Sequence, residues 1–305
     1  MSKAAIDKRL AALDGLLNEP RPRSTIERLA IERQINDLRH GHERGLVWDE
    51  GEVQRVLDFF SKLVHWKGEW AGRPLTPAPW QEHCILAPLF GWFRESKRSK
   101  GGLRRFRTAY VEVPRKNGKT TLASGIANQG LIADLEQGAE VYAAAVKRDQ
   151  ANILFKDAQQ TLGPSLKGLV ERYTGSITCP RLNSSFKPLS SDYSSTDGLN
   201  IHRVVVDELH AHKTRDLFDV LLTSMGARRQ PLLCSISTSG FNRSSICWEQ
   251  REEARNILEG HKENDAFFGF VATIDPGDDW TDPATWWNLL SASRAAKFFG
   301  ISGPR

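Results

Sequence analysis

An apolar run, Tyr110-Val111-Glu112-Val113, breaks at Pro114 into Arg115-Lys116-Asn117-Gly118-Lys119-Thr120-Thr121 and resumes as Leu122-Ala123-Ser124-Gly125-Ile126-Ala127. A β-branched stretch, a glycine turn, then Ala and Leu at helical spacing read as strand, loop and helix. Few architectures accept that succession, because a strand feeding directly into a helix is the unit of a helix-covered parallel sheet. Gly118 lets backbone amides turn toward an anion at the helix start, where unpaired N–H groups and the helix dipole both favour negative charge. Residues Pro114, Arg115, Lys116, Asn117, Gly118, Lys119, Thr120 and Thr121 are therefore expected to hold the phosphates of a nucleoside triphosphate. The match to G-x-x-x-x-G-K-[ST] is incomplete, since Val113 stands where the first glycine belongs. An ordinary strand-to-helix turn with a solvated Lys119 is the plain alternative.

A second segment narrows the choice. Ile201-His202-Arg203-Val204-Val205-Val206 ends in Asp207-Glu208, and one strand further on Leu232-Leu233-Cys234-Ser235-Ile236 ends in Ser237-Thr238-Ser239-Gly240. Phosphoryl transfer needs Mg²⁺ against the phosphates, and an aspartate at the end of a buried strand is the residue type that holds it, while the next carboxylate faces the attacking water. An acidic pair after a Val run is also a common way to end a strand. Strands are expected over 107–113, 140–145, 202–206, 232–237 and 268–274, with helices between the first several. In such sheets ligands bind at the carboxyl ends of the strands, and every polar motif residue sits at one of those ends.

These residues carry a family resemblance. The run over 110–121, Gly138-Ala139-Glu140-Val141-Tyr142-Ala143-Ala144-Ala145, Lys147-Arg148-Asp149-Gln150-Ala151, Asp197-Gly198-Leu199-Asn200, Val206-Asp207-Glu208-Leu209-His210-Ala211-His212 and Gly226-Ala227-Arg228-Arg229-Gln230-Pro231-Leu232 together resemble the large terminase subunit of tailed bacteriophages. The resemblance covers residues 46–286, and in that family the incomplete phosphate loop is the rule. It implies an α/β fold with a mostly parallel sheet covered by helices: a P-loop NTPase of the additional-strand, catalytic-glutamate type. The implied activity is an ATP-hydrolysing motor that packages double-stranded DNA into a procapsid, with ATP and Mg²⁺ as cofactors. The implied partners are double-stranded DNA, the small terminase subunit, the portal protein and further copies in a ring, in the cytoplasm of the bacterial host.

The resemblance also assigns roles. Lys119, Arg115 and Glu208 would be catalytic, Lys119 on the β- and γ-phosphates and Glu208 orienting the water; Thr120 and Asp207 would serve the Mg²⁺. Trp80 and Gln81, after the extended Gly72-Arg73-Pro74-Leu75-Thr76-Pro77-Ala78-Pro79, resemble an adenine-reading element, although Trp80 could simply anchor the next helix. Ser237, Thr238, Ser239 and Gly240 resemble the family's coupling motif. Arg148, Arg228 and Arg229, with Lys147 nearby, are arginine-finger candidates expected on the loop-bearing edge of the sheet.

The rest of the chain is less specific. Residues 1–45 read as a helical hairpin, charged and short of bulky core residues, either a loosely packed extension or a docking arm. Residues 46–288 form the expected ATPase domain, with 162–197 as a β-insertion or surface loop carrying short strands near Ser176 and Phe186. Residues 289–305 depart from the family pattern and hold no carboxylate cluster, so a truncated chain lacking a nuclease domain is expected. Trp66, Trp70 and Trp92 read as core or packing aromatics. A metal site from His202, His210 and His212 is disfavoured, and His210 is expected to tether the acidic strand end to its neighbour. Forty-two basic against 37 acidic residues give a net charge of +5, which permits DNA contact without requiring it. Cys84, Cys179, Cys234 and Cys247 form no C-x-x-C and are expected as free thiols, and no apolar run long enough to span a membrane occurs. Two rivals stay open: a prophage relic that binds nucleotide without turnover, and a D-E-x-H helicase, for which the residues after Gly240 leave little room for a second domain.

Overall fold

The computed structural model describes residues 3–19, 23–96, 102–190, 198–240, 242–279 and 281. Two helices open the chain, α1 (Lys3–Leu17) and α2 (Thr25–His40), the second started by Ser24, whose hydroxyl accepts the Glu27 amide at 3.3 Å. Then come β1 (Leu46–Trp48), α3 (Glu50–Phe60) and a continuous helical run of α4 (Pro79–Gln81), a π-helical turn (Glu82–Leu86) and α5 (Ala87–Gly91). Strands β2 (Trp92–Arg94) and β3 (Leu103–Arg104) join β1 in a small antiparallel sheet. The main sheet follows, from β4 (Thr108–Glu112), α6 (Lys119–Asn128), β5 (Glu140–Ala145), α7 (Arg148–Thr161), β6 (Glu171–Arg172), β7 (Ile177–Cys179) and β8 (Ser184–Ser190). It is completed by β9 (Ile201–Asp207), α8 (Asp216–Thr223), β10 (Leu232–Ser237), α9 (Ile246–Leu258) and β11 (Phe267–Val271).

The strand order is β11-β4-β10-β9-β5-β8-β7-β6, parallel from β11 through β8 and antiparallel beyond. Strands buried on both faces read as continuous apolar runs, and every residue of β10 and all but the last of β9 are buried. One apolar core lies on each face. Leu122, Ile126, Leu154 and Phe155 belong to one; Leu217, Phe218, Ile246 and Leu258 belong to the other. β10 separates β4 from β9, which is the additional-strand arrangement expected, and its register sets Ser237 beside Glu112 and Ile236 beside Asp207. Gly125 lets α6 lie against α3: a Cβ there would stand 2.4 Å from Phe60 Cε1.

Three expectations are corrected here. The segment after α7 carries the strands expected near Ser176 and Phe186, but it is not a separate β-insertion or surface loop, because Ser185 to Ser190 of β8 pair in parallel with β5 and only β6 and β7 extend past it. The N-terminal hairpin is not loosely packed: Leu13, Leu16, Ile31, Ile35 and Leu38 lie in the same core as α6. α2 runs along the edge strand β11, with Arg33 Nη1 donating to the Phe267 carbonyl at 3.1 Å, so it covers an edge that would otherwise be open. Arg9 of α1 reaches Glu50 and Glu82, each at 2.7 Å. Finally, Trp92 is buried but Trp66 and Trp70 are 40% and 39% exposed; each carries a cation on its ring face, Lys67 at 4.6 Å and Arg73 at 5.2 Å. The atypical tail, 289–305, lies outside the described residues.

Candidate functional site

After β4 the chain turns through Lys116 and Gly118, both left-handed at φ 70° and 72°, into α6. Gly118 takes that conformation without strain, and α6 has no side-chain cap, so its first amides stay available to an anion. Asn117 Nδ2 donates to the Pro114 and Arg115 carbonyls, each at 3.3 Å, and closes the loop on itself. Lys119, the first residue of α6, is buried with its Nζ 3.3 Å from the Pro114 carbonyl. Burial lowers the ammonium's pKa, and the positive field of Arg115 lowers it further, against the pull of Glu208 and Asp207. Arg115 and Lys116 are exposed, and Thr121 is half-buried.

The acidic end of β9 lies across β10 from this loop. Thr120 Oγ1 stands 3.5 Å from Asp207 Oδ2. Burial, then the charge of Glu208, pushes the Asp207 carboxyl up to about 6, against the opposing pull of Lys119 and the Thr120 hydroxyl. Glu208 is left-handed at φ 55° and ψ 51°, a conformation that costs a non-glycine residue about 1–3 kcal/mol. Its amide donates to the Ile236 carbonyl at 2.9 Å and to Asp207 Oδ1 at 3.0 Å. The side chain meets His210 Nδ1 at 3.1 Å and Thr238 Oγ1 at 3.4 Å. The strained turn is what gives the two neighbouring carboxylates different surroundings.

The end of β10 joins in. Ser237 Oγ accepts from the His210 amide at 3.2 Å and lies 3.1 Å from His210 Nδ1, so His210 ties the two strand ends together as expected. A Cβ at Gly240 would come within 3.0 Å of His210 Cβ. Ser239 turns the other way, its hydroxyl donating to Glu112 at 2.7 Å. Glu112, in an otherwise apolar strand, is the residue that sequence reasoning passed over; a carboxylate inside a buried run was the available signal.

The remaining candidates divide. Gln81 lies against the loop, its Nε2 donating to the Asn117 carbonyl at 3.2 Å while its Oε1 accepts the Ala78 amide at 3.0 Å. In this arrangement the amide braces the loop on the helix that follows the prolines. Trp80 stacks on Phe270 with ring centroids 6.1 Å apart. Arg148 and Lys147, exposed after β5, are on the loop-bearing edge. Arg228 and Arg229 are not, and this corrects their expected position: they precede β10 and lie at the amino ends of the strands. Arg228 donates there to the carbonyls of Gly138 and Asn200 and pairs with Glu136, so its guanidinium is already engaged. His202, also at that end, meets Asp134 at 2.6 Å within a buried cluster with Arg104 and Arg203. No described helix is long and apolar enough to cross a membrane, and the four cysteines are free and buried.

Comparison with known proteins places this geometry. A family model described as the ATPase domain of the terminase large subunit matches residues 79–256, more than half of the chain. The chain is 28% identical over 205 residues to the terminase large subunit of Enterobacteria phage HK97, which covers 63% of this chain and 38% of that protein. It is 49% identical over 87 residues to Protein YmfN of Escherichia coli (strain K12), 28% of this chain and 19% of that one. The crystal structure of the HK97 bacteriophage large terminase aligns with a TM-score of 0.66 and 23% identity over 81% of this chain and 50% of that chain. The chain thus spans half or less of the length of these relatives.

Proposed function

The chain belongs to the terminase large subunit family through its ATPase domain, and from this premise we propose that it hydrolyses ATP as part of a motor that drives double-stranded DNA into a procapsid. The observation that carries the reading is the convergence of Lys119, Thr120, Asp207 and Glu208 at the carboxyl ends of β4 and β9, with Thr120 and Asp207 3.5 Å apart. In this reading the loop amides and Lys119 bind the β- and γ-phosphates, and Arg115 adds positive charge at the mouth of the loop. Glu208 orients the attacking water and takes up its developing charge; Thr238 and His210 hold the carboxylate until then.

The donor set fits Mg²⁺. A threonine hydroxyl and a carboxylate are the hard oxygen ligands this ion takes, and the charge of Glu208 beside Asp207 adds to the negative field there. Thr120 and Asp207 would hold the ion, which would neutralise charge on the phosphates. Gln81 and Trp80 are proposed to border the base, and Arg148 is the finger candidate that the sheet edge favours. Double-stranded DNA, the small subunit, the portal protein and a ring of copies are the proposed partners, and Ser237 to Gly240 the segment that passes phosphate loss toward the DNA.

The test is ATP turnover by this chain with and without double-stranded DNA. Hydrolysis that DNA stimulates supports the motor reading. Hydrolysis indifferent to DNA supports an isolated ATPase core, and tight ATP binding with no hydrolysis would overturn the catalytic reading in favour of a nucleotide-binding relic.

A further inference from the structure

Glu112 closes β4 one residue before the loop begins and is buried to 1% exposure. Its carboxylate is fully occupied: Oε2 accepts from Tyr110 OH at 2.6 Å, and Oε1 accepts from Ser239 Oγ at 2.7 Å and from Arg251 Nη1 at 3.1 Å. Arg251 belongs to α9 and lies over the Trp248 ring at 5.4 Å, while its Nη2 reaches Thr273 Oγ1, just beyond β11. One carboxylate therefore joins β4, the segment after β10, α9 and the chain leaving β11. A charge is kept in so buried a place only when its hydrogen bonds are met, and here Tyr110 comes from β4 itself while Ser239 and Arg251 come from elements around the strand ends. The adjoining residue Thr238 touches Glu208 through its Oγ1 at 3.4 Å, beside the contact from His210.

We propose that Glu112 is a positioning residue: by gripping Ser239 against Arg251 it fixes the segment after β10, and through Thr238 it sets where the Glu208 carboxylate stands. This rests on the reading of Glu208 as the hydrolytic carboxylate. The phosphate loop does not depend on the same grip, because Val113 is held separately, its amide donating to the Ser237 carbonyl at 3.1 Å. Loss of the grip consequently moves catalysis and leaves nucleotide capture in place.

The test compares Ser239→Ala, Glu112→Ala and Glu112→Gln with the parent, following ATP turnover, thermal unfolding and amide exchange over residues 238–240. Ser239→Ala and Glu112→Ala are expected to lower kcat about tenfold, with KM for ATP changed less than about twofold, because small misplacements of a catalytic group are costly. Glu112→Gln, whose amide oxygen can still accept from Ser239, recovers most of kcat. Exchange over 238–240 quickens in the two alanine variants. Parent kcat in folded Ser239→Ala, or a fall in unfolding temperature alone, overturns the proposal. Ser239 is exposed and gives up only a hydroxyl, so it decides the matter if Glu112→Ala does not fold. A parent without turnover would sink the hydrolytic reading instead; unchanged exchange in Ser239→Ala would then overturn the grip itself, and faster exchange would uphold it.

Discussion

Asp207 and Glu208 are chain neighbours with opposite surroundings, and their substitutions should differ for that reason. Asp207 is half-buried beside Thr120, whereas Glu208, on its left-handed backbone, is 40% exposed at its side chain and touches Thr238 and His210. Glu208→Gln keeps the shape but cannot take up the water's developing charge, so turnover should fall on the order of a hundredfold or more with ATP still bound. Asp207→Asn weakens the hold on the ion, so its defect should shrink as Mg²⁺ is raised while that of Glu208→Gln should not. Titrating Mg²⁺ in both turnover assays separates them; parallel responses would mean that the two carboxylates share one role. Lys119→Ala removes the one buried full positive charge beside the loop. A charge-assisted contact of about 1.5–3 kcal/mol corresponds to a loss of roughly ten- to a hundredfold in ATP affinity, and calorimetry reading parent affinity would show that the loop does not bind phosphate.

At the scale of elements, α1 and α2 are part of the core. Arg9, on α1, is buried against Glu50 and Glu82, and Arg9→Met takes that cation from both carboxylates. Because both glutamates keep some contact with water, the loss should be about 1–3 kcal/mol, read from the urea midpoint; an unchanged midpoint would return the hairpin to the status of an appendage. Why this packing escaped the sequence is physical. Leu13, Leu16, Ile31, Ile35 and Leu38 are spread thinly among charges, and helical spacing reveals a buried face without saying what covers it. β8 was expected as a short strand, but its place inside the parallel sheet was obscured by its composition, since Ser184-Ser185-Phe186-Lys187-Pro188-Leu189-Ser190 lacks the Val-rich signature of β9 and holds a proline that usually marks an edge. By contrast β4, β5, β9, β10 and β11 were legible, because burial on both faces demands continuous apolar residues. Lys119, Thr120, Asp207 and Glu208 were legible because each closes or follows such a strand. Glu112 was not, since its partners Ser239 and Arg251 lie 127 and 139 residues away. Arg228 and Arg229 could have been placed from element order alone: residues preceding a parallel strand lie at its amino end.

For the whole molecule, two titratable groups pull stability in opposite directions over the same pH range. His212 is buried, its Nε2 has no hydrogen-bond partner among the described residues, and burial with the nearby His210 lowers its pKa to about 4. The unfolded imidazole titrates near about 6.5, so between those values the unfolded chain binds more protons and stability rises with pH, by up to about 3 kcal/mol. Asp207, raised to about 6 from an unfolded value near about 3.9, does the reverse: the folded chain binds more protons, and stability falls as pH rises through that window by a comparable amount. The parent should therefore show little net slope from this pair. Removing either member should expose the other. His212→Leu should be relatively more stable at about pH 4.5 than at about pH 6.5 when each is measured against the parent, and Asp207→Asn relatively more stable at the higher pH. Urea midpoints for the three proteins, taken at both pH values with a chelator present so that no divalent ion enters the balance, give the comparison. Slopes of one sign for the two variants would mean that the buried imidazole is not held neutral, and that His212 has found a partner in solution.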